Sequence, residues 1–210
     1  MALVKYNNNS ISAITAASGL ANGAMTLIKS QTASSSSTIS FIDGVSDVDL
    51  DATYPIYVFK FINANPNSGA GTCTFQFNGT DDTSSHSFDI TKTTSNIQST
   101  HGEGDGYALV RYNTSFDLAQ STAFQSLNFG DSSVAADGSI SGELWLFNPS
   151  STTFVKHFIS NSNSMASDGS DHDMVSGYFN TASAITGIQF KFSAGVIESG
   201  TFKLYGIKDS

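Results

Sequence analysis

Side chains that alternate between apolar and polar along short runs constrain this chain more than any other feature. In GIQFKF, Ile188, Phe190 and Phe192 fall on one side while Gln189 and Lys191 fall on the other. That period of two belongs to a half-buried β-strand. TFKLYGI repeats it with Phe202 and Leu204 inward, so this last strand is expected inside a sheet, hydrogen-bonded to a neighbour. TCTFQFN puts Cys73, Phe75 and Phe77 on one face, which makes Cys73 a small buried hydrophobe. YPIYVFKFIN is apolar on both faces, with Tyr57, Phe59 and Phe61 against Ile56, Val58 and Ile62. Such a run predicts a central strand covered on both sides.

Further strands are expected in MTLIKSQ, STISFI, SFDIT, GYALVRY, SISGELWLFN, TFVKHFIS and MVSGYFN. Between them stand NPNSGAG, NGTDD, HGEGDG, AADG, NPSS and SDGSDHD, whose Gly, Asn and Asp supply the left-handed backbone positions of tight reversals. The connection from Phe116 to Phe129 is expected to hold one short helix. No fixed-period repeat and no alternation of helix with strand is visible, which disfavours propellers, β-helices and parallel α/β sheets. The expected architecture is all-β: a two-sheet antiparallel β-sandwich of the jelly-roll type with about ten strands. Residues 24–210 are expected to form that single domain, and residues 1–23, small and polar after a short apolar lead, read as an extended N-terminal arm, a frayed terminus being the alternative. Leu3, Val4 and Tyr6 are the arm's candidate anchors on an interface.

Composition narrows the function. Charged residues are 13% of the 210, about half the usual share, and Ser, Thr, Asn and Gly take their place. The net charge is −9 and Arg111 is the only arginine, so the clustered cations that grip phosphates are missing and nucleic acid is not an expected partner. Cys73 is the only cysteine, which rules out an intramolecular disulfide. The N-terminus lacks the apolar core of a signal peptide, and no run is long enough to span a bilayer. A soluble protein made in a cytoplasm, with no membrane partner, is expected.

Reactive constellations are weak. In DGVSDVDLDA, alternate Asp47, Asp49 and Asp51, with Asp43 before them, offer oxygens to a Ca²⁺ ion, but the EF-hand spacing is missing. A solvated acidic turn anchored by Val48 and Leu50 is the better reading. SDGSDHD offers Asp168, Asp171, His172 and Asp173, read as a loop. His86 and His157 are expected on strands, His101 and His172 in loops, and none has a partner at ligand spacing. HGEGDG lacks the strand-to-helix context of a phosphate cradle, and Glu103 and Asp105 would repel the anion. The three glutamates, Glu103, Glu143 and Glu198, leave little for paired-carboxylate hydrolysis. Trp145 shares a strand face with Phe147 and is expected in the core, a sugar platform being the alternative. The sequons at Asn78 and Asn113 matter only on a secretory route. No catalytic residue, metal site or cofactor site is assigned, and the chain is not expected to be an enzyme.

Four stretches carry a resemblance: MALVKYNNNSISAITAAS, TASSSSTISFIDG, NPSSTTFVKHFIS and GYFNTASAITGIQFKFSAGVIESGTFKLYGIKDS. They resemble small virion-associated proteins of tailed bacteriophages of cyanobacteria, most recognisably in the SGTFKLYGI ending. The resemblance implies a β-sandwich without enzymatic activity, located in the virion, acting as capsid decoration or cement, head fibre or tail accessory protein. It implies other virion proteins as partners, among them the major capsid protein or tail and fibre proteins. A homo-oligomer, a trimer by expectation, goes with that role. The alternative is a tail or head fibre module that binds host-surface carbohydrate.

Overall fold

The computed structural model describes residues 25–67, 71–129, 138–166 and 168–208. Leu3, Val4, Tyr6 and the rest of the expected arm lie outside the described residues. Within them the secondary structure is entirely strand: β1 (Met25–Ser36), β2 (Ile39–Ile42), β3 (Ile56–Pro66), β4 (Cys73–Gly79), β5 (Lys92–Gly102), β6 (Ala108–Tyr112), β7 (Gln125–Ser126), β8 (Ile140–Phe147), β9 (Lys156–Ala166), β10 (Gly169–Phe179), β11 (Ile185–Phe192) and β12 (Ile197–Ile207). These twelve strands form two antiparallel sheets, ordered β1-β12-β3-β8-β9-β10-β5-β6 and β2-β11-β4-β7.

The connectivity is that of a jelly roll. Four early strands pair with four late ones in reverse order, β1 with β12, β2 with β11, β3 with β8 and β4 with β7. The folded ribbon lays β1-β12-β3-β8 against β2-β11-β4-β7. Two hairpins are inserted into this plan. β5 and β6 come between β4 and β7, and β9 and β10 between β8 and β11. β9 pairs with β8 and β10 with β5, so together they double the width of one sheet.

The alternating runs do what their pattern requires. Phe75, Phe77, Ile188, Phe190, Phe202 and Leu204 are all buried, and β12 lies between β1 and β3. Aromatic rings fill the space between the sheets. Phe179 lies 4.7 Å from Phe77 and 5.1 Å from Phe158, and Phe158 lies 5.2 Å from Phe75, centroid to centroid. These separations suit edge and offset packing. A side chain at Gly142 would put its Cβ 2.4 Å from the Asn161 carbonyl oxygen and 2.8 Å from the Phe61 ring, so glycine lets that ring lie flat on β8.

Several expectations need correction. The stretch from Phe116 to Phe129 holds no helix; it runs irregularly through β7 and a bridge between Lys92 and Ser121. SFDIT is not a strand, and β5 begins just after it, at Lys92. β10 starts at Gly169, so Asp171, His172 and Asp173 lie on a strand where a loop was expected. His86 is off any strand, with φ +50°, whereas His101 lies on β5, one residue before its end. β3 is central, but among the described residues no second layer covers one of its faces: Ile62 is exposed, and Val58 is buried beside its own sheet neighbours.

Candidate interaction surface

The small sheet covers only the jelly-roll half of the large one, so the inserted half must bury its inner face otherwise. It does so with polar side chains. Thr94, Asn96 and Gln98 of β5, Ser160, Ser162 and Ser164 of β9, and Asp171 and Asp173 of β10 are all buried. The connection 113–129 lies over them. Its Phe129 N–H donates to Asp173 Oδ2 at 2.9 Å, the Ser162 hydroxyl donates to the Leu127 carbonyl, and Thr94 Oγ1 donates to Gln125 Oε1 at 2.6 Å. Within the layer, Asn96 Nδ2 donates to Asp173 Oδ1 at 3.3 Å and Gln98 Nε2 to Asp171 Oδ1 at 3.4 Å. Burial pushes the Asp173 carboxyl above its ordinary range, because the desolvated charged form is disfavoured. Arg111, on β6, donates through Nε to Gln98 Oε1 at 2.8 Å and stacks on Phe129. This layer holds the four inserted strands and their cover as one body.

An apolar row crosses the otherwise polar outer face of that body, and among the described residues no element packs over it. Tyr112 of β6 stands opposite Ile97 of β5, and Ile97 opposite Met174 of β10, making one continuous row. The three are 52%, 45% and 46% exposed, and Val110, one pleat away on β6, is 75% exposed. Ile159 of β9 continues the row diagonally toward Trp145 of β8, its cross-strand partner. Isolated exposed apolar side chains are ordinary; a contiguous row across neighbouring strands makes this face the candidate interaction surface. His172 lies on the same face, between two shallow depressions of about 420 and 400 Å³. The second of these is lined by Lys60, Glu143, Asn161 and Asn163, with Lys60 Nζ 3.5 Å from Glu143 Oε2.

Trp145 is on this outer face and not in the core as expected. Leu144 and Leu146 take the inward positions of β8, and the indole N–H donates to Glu143 Oε1 at 2.9 Å.

The other sequence candidates fall apart in space or into structural roles. Val48 and Leu50 are buried while Asp47, Asp49 and Asp51 face solvent, as the acidic-turn reading requires. Asp43 Oδ1 accepts from the Leu50 N–H at 2.8 Å, and Asp51 accepts from Thr53 and Tyr57, so these carboxylates cap the turn. Among the described residues no group of three or more His, Cys, Asp or Glu is placed to hold a metal. His101 pairs with Asp105 at 3.0 Å in the β5–β6 turn, while Asp171 and Asp173 point inward, away from His172. Cys73 is fully buried, and desolvation pushes its thiol up to about 12. Asn78 and Asn113 are buried as well, bonded to Asp82 and Gln98. Two residues no motif flagged are Lys92 and Lys156, fully buried on either side of Phe179. Each ammonium donates only to carbonyls among its observed hydrogen bonds, Lys92 to Ala123 and Lys156 to Phe154 and Ala182.

No family model matches the chain, and no curated protein or solved structure matches it either.

Proposed function

We propose that this protein is a non-enzymatic accessory component of a bacteriophage virion, decorating or cementing the capsid surface. The observation that carries the reading is the widened sheet. Two inserted hairpins turn a jelly roll into a broad face with Val110, Tyr112, Ile97, Met174 and Ile159 exposed in a contiguous row. A broad face crossed by an apolar row suits a protein surface better than a small substrate, which calls for a concave site with converging polar groups. The resemblance of both ends of the chain to virion proteins of cyanobacterial phages supplies the setting, and a homo-oligomer fits that setting.

Particles stripped of this protein and then incubated with the purified chain test the reading. Full-length protein is expected to rebind. The double variant Ile97→Lys, Met174→Glu is expected to fold and to lose occupancy, as is a chain lacking Met1–Asn9. Unchanged occupancy for both variants overturns the proposal.

One observation favours the fibre-module reading as a second choice. Trp145 stands half-covered on the outer face, held to Glu143 beside the depression lined by Asn161 and Asn163. A tryptophan face next to amide side chains is a surface on which a sugar ring can stack. A glycan array with the purified chain separates the two readings: a specific glycan hit abolished by Trp145→Ala selects the module, and silence selects decoration.

A further inference from the structure

One six-residue string occurs twice in this chain. Residues 2–7 read ALVKYN and residues 108–113 read ALVRYN, identical but for a lysine in place of the arginine. The second copy is β6 together with Asn113, and the structure shows what the string does there. It forms an edge strand, exposed along all five of its residues. Ala108, Val110 and Tyr112 stand on the outer face over His101, Ser99 and Ile97, while Leu109 and Arg111 turn inward. Among the described residues nothing pairs with the second edge of β6, which therefore presents free backbone donors and acceptors.

We propose that residues 2–6 of one copy of this chain add to the free edge of β6 in a second copy, as an antiparallel ninth strand. The string itself selects that direction. Antiparallel pairing centred on Val4 and Val110 sets Ala2 opposite Tyr112 and Tyr6 opposite Ala108, large against small, on the outer face. On the inner face Leu3 meets Arg111 and Lys5 meets Leu109. Parallel in-register pairing would instead set Lys5 beside Arg111 and Tyr6 beside Tyr112, and like charges side by side are destabilising. The added strand extends the apolar row by Val4 and Tyr6 and covers Val110.

The second copy is the better source than the same chain. β1, from which the N-terminal segment leads, lies at the opposite edge of the sheet from β6. Reaching its own β6 would take the segment across seven strand spacings, roughly 34 Å. That crossing would be bridged by residues 8–24, mostly Asn, Ser, Ala and Gly, with only Ile11, Ile14 and Leu20 as large apolar residues to lay on the way. In a head-to-tail arrangement the β1 edge of one copy adjoins the β6 edge of the next, and such contacts form a ring when the rotation between copies closes. The pairing concerns contacts between copies of this chain and stands whether or not the virion reading does.

Disulfide trapping with purified full-length protein tests it without particles. Two preparations, one Val4→Cys and one Val110→Cys, are mixed and oxidised; Cys73 is buried and does not compete. A covalent dimer joining the two variants is expected, together with loss of the oligomer in sedimentation when residues 1–9 are deleted. Trapping of Val4→Cys by Ser99→Cys, the residue opposite Val110 on β5, would mean that the segment replaces β6, and overturns the proposal. So does a bridge that forms only within a chain carrying both cysteines, or an oligomer that survives the deletion. No bridge in any mixture overturns it as well.

Discussion

The guanidinium carbon of Arg111 stands 4.6 Å from the centroid of the Phe129 ring. This stacking ties the exposed edge strand to the connection that covers the polar layer, and the Arg111 Nε hydrogen bond to Gln98 reinforces it. Arg111→Ala removes a cation–π contact and a hydrogen bond, together on the order of 1–2 kcal/mol. Chemical denaturation is expected to show that loss, and hydrogen exchange to show faster exchange in β6 than in β12. Equal protection of β6 in the variant and the parent would remove Arg111 from this role.

The buried lysines give the fold a specific pH dependence. Desolvation brings the Lys92 ammonium down to about 7, and Lys156 shifts in the same direction for the same reason. From about pH 7 upward the folded chain has released the Lys92 proton while the unfolded chain, near 10.5, still holds it. Stability therefore rises with pH above about 7, by about 1.4 kcal/mol per pH unit for one full proton difference, and this contribution is flat below. The rise levels off near pH 9, where the unfolded Cys73 thiol begins to ionise while the folded one, at about 12, does not, so this loss offsets the Lys92 gain. Net loss sets in only above about 10.5, where the unfolded Lys92 also deprotonates. Denaturation midpoints measured across the rise are expected to climb in the parent and to climb less in Lys92→Met.

Phe179 is held between Phe77 and Phe158 with both lysines beside it. Phe179→Ala opens a cavity where the two hairpin insertions join the jelly roll, at a cost of about 3–5 kcal/mol. Calorimetry is expected to show a correspondingly lower melting temperature. A cost below about 1 kcal/mol, the range of a surface site, would mean the insertions are not packed as described.

How far the sequence could be read depended on what each strand buries. β4, β11 and β12 bury phenylalanine and aliphatic residues at every second position, and the alternation locates them. β5 and the start of β10 bury Thr94, Asn96, Gln98, Asp171 and Asp173 instead. Their inner and outer faces are both polar, so no hydrophobic period exists to detect, and SDGSDHD reads as a loop. β8 failed differently. Both its faces are apolar, with Leu144 and Leu146 against Trp145 and Phe147, and alternation alone does not say which pair goes inside. The repeated ALVKYN and ALVRYN are plain in the sequence, yet they acquire meaning only once β6 is known to be an open edge.

Surface substitutions on the outer row separate folding from association. Met174→Glu, at a site 46% exposed, is expected to change stability by no more than about 0.5 kcal/mol. The same variant is expected to weaken assembly of the chain onto particles, read as reduced occupancy after sedimentation. A fall in melting temperature with normal occupancy would reverse the assignment of that row from contact surface to structural support.

Quantitative mass spectrometry of purified virions is the most direct measurement of all. Capsid decoration is expected to yield this chain at a copy number in fixed, near-stoichiometric ratio to the major capsid protein. Its absence from particles, or a copy number matching the tail proteins, would contradict decoration outright.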